Sequence, residues 1–215
     1  MSILLRGRSE RCHLSWGYMA SCYIILYFMS IYLIRHCSAQ GQEPEAALTE
    51  AGNEQALRLS AFLERRRVTR IVSSPFRRAV DSARPLGETL GLEVEIDPRL
   101  AERQLGLVEN GDWRAALRES FDNHNLCLPD GESSLSAQAR GVAALHDVFQ
   151  EARLPAAIFS HGNLLALIAN SVDNSLGFDF WRRLSNPDVF EVRQLTESLA
   201  LSRVWADSYD TAQLS

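Results

Sequence analysis

The 215-residue sequence contains no lysine; all 22 of its basic residues are arginine. A Walker-type phosphate loop is therefore excluded, because it needs its lysine. A Schiff-base enzyme needs an amine nucleophile and a protein kinase its strand lysine, so both are excluded too. A compositional bias toward arginine accounts for the absence, and the exclusions hold whatever its origin. The four cysteines, Cys12, Cys22, Cys37 and Cys127, show no C-x-x-C spacing. Neither a structural zinc site nor a disulfide framework is indicated, and the expected compartment is the reducing cytoplasm. Positive charge is in deficit, with a formal net charge of −5. That argues against a nucleic-acid partner, which needs a basic face. It does not argue against a small anionic substrate, because a local arginine cluster overrides the net sign.

What is present suffices for one core: 46% of the residues are hydrophobic, and one globular domain is expected. No internal repeat, low-complexity tract or interdomain linker interrupts it. The start of the chain is different. Residues 16–34, "WGYMASCYIILYFMSIYLI", carry no charge, and Arg6, Arg8 and Arg11 lie upstream. The run approaches the length of one membrane crossing and its flank resembles a signal n-region. Its last five residues, "SIYLI", are rich in β-branched and aromatic side chains and read as a buried strand. The same residues cannot be both a bilayer helix and a core strand. The expected division is residues 1–28 as an N-terminal extension and residues 29–215 as the domain. The extension is a mis-assigned start or a tail, with a membrane anchor as the alternative.

After the first strand, "LTEAGNEQALRLSAFLERR" predicts a helix with Thr49 as N-cap. "RIVSS" is a short strand, and Ser74-Pro75 is read as the cap and first residue of a helix broken or kinked near Pro85. "LEVEID" alternates as a strand. Residues 98–132 are loop-rich, with a short helix around 112–119. A helix follows in which Leu135, Ala139, Val142, Leu145 and Phe149 form the core face. "AAIFS" is a buried strand, "NLLALIANSV" an apolar helix, and "DVFEVRQL" and "LALSRVW" a closing strand pair. Strands alternate with helices, so the class is α/β: a three-layer α/β/α sandwich with a mostly parallel sheet.

In such sheets ligands sit beyond the carboxyl ends of the strands. Arg35-His36 ends the first strand, Arg77-Arg78 opens the helix after "RIVSS", and His161-Gly162-Asn163 ends "AAIFS". Each alone is as easily a solvated arginine or a hydrogen-bonded histidine. Three at three strand ends point to an anion site. Guanidinium groups and helix N-termini favour phosphate. A neutral imidazole attacks phosphorus when its other nitrogen is held by an acceptor.

In order along the chain, "LIRHC", "LTEAGNEQA", "SSPFRRAVDSA", "AERQLG", "PDGES" and "SHGN" resemble the histidine phosphatase, or phosphoglycerate-mutase-like, superfamily. The resemblance implies the sandwich fold and a metal-independent, cofactor-free phosphatase acting on small phosphorylated metabolites. It implies His36 as the phosphorylated nucleophile, Arg35, Arg78 and His161 as the phosphate pocket, and Glu102 as the acid that protonates the leaving oxygen. Gln42 and Asn163 stand at further phosphate-contacting positions. Arg77 is read as a solvated helix residue, and Trp113 and Trp181 as core before pocket mouth. One departure is Cys37, where the family motif has glycine. Two alternatives stay open: mutase-type phosphoryl transfer, and a catalytically silent binding protein on the same fold.

Overall fold

The computed structural model describes residues 30–108, 111–151, 153–195 and 198–205. The expected extension, residues 1–28, lies outside them. The chain folds around a six-stranded sheet of order β3-β2-β4-β1-β5-β6. Its strands are β1 (Ser30–Arg35), β2 (Arg70–Ser73), β3 (Val94–Ile96), β4 (Ala156–Ser160), β5 (Asp188–Gln194) and β6 (Leu199–Arg203). β1 runs parallel to β4, β4 to β2 and β2 to β3. β5 is antiparallel to β1 and to β6. The expected mostly parallel sheet is therefore present.

β1 is "SIYLIR", and it is buried on both faces. Ile31 and Leu33 enter one hydrophobic cluster, Tyr32 and Ile34 the other. Period-two alternation of purely apolar residues is what a central strand covered on both sides requires. Residues 30–34 are thus committed to the sheet. No helix among the described residues is long and apolar enough to cross a membrane.

Two helices cover the face of Tyr32 and Ile34: α1 (Glu50–Glu64) and α2 (Arg77–Leu90). Thr49 caps α1, its hydroxyl accepting from the Gly52 N–H at 2.9 Å. On the other face lie α4 (Ser134–Gln150) and α5 (Gly162–Val172), with α3 (Trp113–Asp122) and the short α6 (Phe178–Arg182) beside them. These are the three expected layers.

Three details differ from the sequence reading. α2 starts at Arg77, not Pro75, and runs unbroken through Pro85 to Gly91, whose φ of 65° ends it. Ser74 is not its N-cap, because Phe76 holds that position. The buried face of α4 is Ala137, Gly141, Ala144, Leu145, Val148 and Phe149, while Leu135 is 50% exposed. A Cβ at Gly141 would lie 2.9 Å from Ile168 of α5, so the glycine lets the two helices approach.

Candidate active site

The register of the parallel strands sets the site. Arg35 pairs with Ser160, so His36 and His161 emerge side by side; Ser73 pairs with Phe159, so Ser74 emerges one residue short of them, level with Ser160. The His36 N–H donates to the Ser160 carbonyl at 3.0 Å and the Ser74 N–H to the Phe159 carbonyl at 2.9 Å, extending the sheet one residue further.

His36 is buried and doubly held. Arg78 Nε–H donates to His36 Nε2 at 3.1 Å. A guanidinium only donates, so Nε2 accepts and the imidazole proton sits on Nδ1. That nitrogen lies 2.7 Å from the Cys37 carbonyl oxygen and donates to it. The ring is therefore neutral, with the Nε2 lone pair facing cations. Burial pushes its pKa down to about 3; the bond to Cys37 opposes this, and Arg78 and Arg35 add to it.

Arg78 is a fully buried side chain. Besides His36 it grips the carbonyls of Gln42 and Glu43, at 3.0 and 2.9 Å. Arg35 Nη1 donates to the Leu184 carbonyl at 2.8 Å. Its guanidinium crosses directly over Gly162, where a Cβ would lie 3.0 Å from Nε. His161 meets the His36 ring edge-on, with centroids 5.1 Å apart. Its Nε2 is 2.7 Å from the Ser74 hydroxyl. Ser74 Oγ also accepts from the Phe76 N–H; with its own proton given to His161 Nε2, Nδ1 carries the ring proton. Burial, then the charges around it, holds the His161 pKa well below the usual histidine range.

Arg103 Nη2 and Asn163 Oδ1 on the cavity wall have no protein partner, and neither do two nitrogens beside His36: Arg35 Nε and His161 Nδ1. Unpartnered buried donors cost about 1–3 kcal/mol each. An oxyanion would satisfy both nitrogens.

Glu102 sits at the N-terminus of α5. One carboxylate oxygen accepts from the Asn163 N–H at 3.1 Å, the other from Leu164 and Arg103 at 3.0 and 2.9 Å. His161, the N-cap residue, offers no side-chain cap of its own, so Glu102 does the capping. The loop carrying it is clamped to the "PDGES" segment: Leu107 N–H bonds the Pro129 carbonyl and Glu132 N–H the Gln104 carbonyl, both at 2.8 Å. Gly106, at φ 96°, permits this approach; a Cβ there would lie 2.6 Å from the Pro129 carbonyl oxygen. Arg140 completes the clamp, with two 2.8 Å contacts to Glu132 and bonds to the carbonyls of Arg99 and Ala101.

A cavity of about 370 Å³ opens over these groups, and Arg35, His36, Glu102, Gln42 and Asn163 all line it. Arg78 and His161 back it through their contacts with His36. The order of these residues in the chain and their convergence here match a known pattern: residues 31–201 match the family model of the histidine phosphatase superfamily (branch 1). The chain belongs to that superfamily. It is an enzyme of the histidine phosphatase type. The "Probable phosphoglycerate mutase GpmB" of Escherichia fergusonii is 26% identical over 82% of this chain and 90% of its own. The structure of mycobacterial glucosyl-3-phosphoglycerate phosphatase with inorganic phosphate is 27% identical, with a TM-score of 0.66 over 84% of this chain and 98% of that one. A phosphoserine phosphatase mutant of Entamoeba histolytica, in complex with phosphoserine, shares the fold at 19% identity and a TM-score of 0.67, over 81% of this chain and 95% of that one.

The remaining expectations divide. Gln42 is exposed, and it serves Arg78 through its backbone carbonyl. Asn163 is buried, and its Oδ1 is without a partner. Arg77 is half exposed and pairs with Asp81 at 3.4 Å on the helix surface. Cys37 has no positive φ, so the histidine phosphatase fold accepts a side chain there; its N–H donates to Ser82 Oγ at 2.9 Å. Trp113 is 46% exposed and lines the cavity; Trp181 lines it too and also packs against the hydrophobic cluster that holds Phe178. Sequence reasoning missed Ser74 as the partner of His161, and Asn186, whose amide donates to the His36 carbonyl at 2.7 Å. It also missed Arg103, a buried side chain on the cavity wall with Nη2 unpartnered. Arg103 lies within "AERQLG" and Asn186 just before "DVFEVRQL", but nothing local marks where their side chains turn.

Proposed function

We propose that this histidine phosphatase hydrolyses small phosphomonoesters through a phosphohistidine on His36, without a metal or organic cofactor. The observation that carries this reading is the state of His36: neutral, its proton fixed on Nδ1 by the Cys37 carbonyl, its Nε2 lone pair aimed at Arg78.

In the first step Nε2 attacks phosphorus in line, and the bond from phosphorus to the leaving oxygen breaks. Phosphate oxygens take over the Arg78 donor, which frees the lone pair, and they engage Arg35 Nε and His161 Nδ1. Positive charge held in a dry pocket stabilises the spread charge of the transferring group. Gln42 and Asn163 lie where their amides can add donors. Glu102 in its protonated form gives its proton to the departing alkoxide. In the second step the Glu102 carboxylate takes a proton from water as the water oxygen attacks phosphorus. The P–N bond breaks, its electron pair returns to Nε2, and inorganic phosphate leaves.

The test is direct. The native protein should turn over p-nitrophenyl phosphate and release one inorganic phosphate per nitrophenol. Rapid quenching with labelled substrate should trap an acid-labile phosphoryl group, absent in His36→Ala. Turnover without a trapped phosphoryl group that needs His36 sinks the covalent mechanism. A folded protein with no turnover at mildly acidic to neutral pH favours the silent binding protein. Transfer of label to a second hydroxyl in place of water would move the reading to mutase chemistry.

A further inference from the structure

Beside the catalytic cavity lies a second one of about 660 Å³; Arg35 and Trp181 line both, and Asn186, whose amide holds the His36 carbonyl, lines the second. Its far wall is basic. Arg114 and Arg118, one turn apart on α3, and Arg182 of α6 face it, so with Arg35 four guanidinium groups meet one carboxylate, Asp112. Asp112 is already engaged, accepting from the Ala115 N–H at 3.0 Å as the cap of α3. Asp179 lies 3.7 Å from Arg182, with both side chains exposed.

Arg114 and Arg118 differ from the other arginines near the site. Neither makes a hydrogen bond or ion pair among the described residues. Each instead lies over an aromatic ring: Arg118 is 4.1 Å from the Phe178 centroid and Arg114 is 5.2 Å from that of Trp113. Stacking uses the face of a guanidinium and leaves its edge donors available. It also holds long side chains in place at low entropic cost. Trp113 and Trp181 meet edge-to-face at 6.1 Å; both line the catalytic cavity, and Trp181 lines the second cavity as well.

We propose that this annex is a second anion subsite of the same active site. The substrates are then phosphomonoesters whose alcohol part carries another anionic group, a carboxylate or a second phosphate. The inference rests on the reading of His36 as the phosphoryl acceptor, since that places the first phosphate beside Arg35. From there the alcohol part runs past Trp113 and Trp181, and its anion reaches Arg114 and Arg118.

Competitive inhibition of p-nitrophenyl phosphate hydrolysis tests it with two matched pairs. 3-Phosphoglycerate and glycerol 3-phosphate differ by a carboxylate against a hydroxymethyl. Fructose 1,6-bisphosphate and fructose 6-phosphate differ by a phosphate. In the native protein the more anionic member of at least one pair should bind about tenfold or more tightly, the scale of one charge-assisted hydrogen bond. The pair that shows it identifies the anion. The Arg114→Gln/Arg118→Gln double variant should bring that ratio to within about twofold, its folding checked by an unchanged circular dichroism spectrum and Tm. Equal inhibition constants within both pairs in the native protein overturn the inference without any variant. A preference that survives the double substitution overturns it as well, because the anion is then read elsewhere. Loss of p-nitrophenyl phosphate turnover in the native protein would take down the proposed function and this inference together, whereas equal constants with intact turnover sink the inference alone.

Discussion

Acid should destabilise this protein through His36, and the size of the effect follows from the site. In the folded state burial holds its pKa at about 3, whereas in the unfolded chain a histidine titrates near 6.5. The unfolded state therefore binds more protons between those values, and stability falls as pH falls through that window. By pH 5 the unfolded histidine has gained about 1.5 pH units of protonation free energy, so the loss from His36 alone is ~2 kcal/mol. His161 is depressed in the same direction and adds to the total slope. Subtraction isolates His36. Urea unfolding of native protein and of His36→Gln at pH 8 and pH 5 gives two stability differences. Their change should be ~2 kcal/mol, with the variant gaining relative to the native protein at pH 5. Phosphate and sulfate must be absent, since an anion bound to the folded state would mask the slope. Parallel pH profiles for the two proteins would show that His36 titrates in the fold as it does in the unfolded chain, and the depression by burial would have to be given up.

Gly162→Ala places a methyl carbon 3.0 Å from Arg35 Nε and 3.1 Å from its Cζ; the displaced guanidinium should cost about tenfold or more in kcat/KM for p-nitrophenyl phosphate while Tm holds or rises, since alanine favours a helix. Glu102→Gln keeps one of the two acceptor oxygens that the α5 amides use and removes the transferable proton, so kcat should fall by roughly two to four decades in a variant that Tm shows to be folded; a near-normal rate would move the acid role to another group. Arg140→Met cuts the clamp on Glu132 and on the carbonyls of Arg99 and Ala101 and should lower unfolding stability by about 1–3 kcal/mol in a denaturant titration.

The strands and helices were legible because purely apolar alternation in "SIYLI" and "AAIFS" leaves no exposed face to assign. Arg35, His36 and His161 were legible because they stand at or directly after the carboxyl ends of β1 and β4, and Arg78 because it opens the helix that follows β2, the side of such sheets that faces ligands. The α4 face was misread for a physical reason. Its packing against α5 depends on what is missing at Gly141 and small at Ala137 and Ala144, and a stripe found by large side chains overlooks it. Trp113 was misassigned because α3 is amphipathic but borders a cavity, so one apolar residue of the helix stays uncovered.

Less legible was the coupling of distant segments that sets the charge state of the site. The proton on His36 Nδ1 is fixed by its own neighbour, yet the direction of the lone pair depends on an arginine 42 positions away. Glu102 shows the same coupling from the other side. Its contacts with Asn163 and Leu164 make it the cap of the helix that follows His161, and a cap is a structural role that needs no catalysis. A serine or aspartate at position 161 could have capped α5 from within. The chain places a histidine there instead and brings a carboxylate from 59 positions earlier, anchored through Gly106, Glu132 and Arg140. Stability alone does not require that detour. Three backbone amides, those of Arg103, Asn163 and Leu164, fix this carboxylate on the wall of the cavity that His36 also lines, and the proposed proton transfer at the leaving oxygen relies on that fixed position.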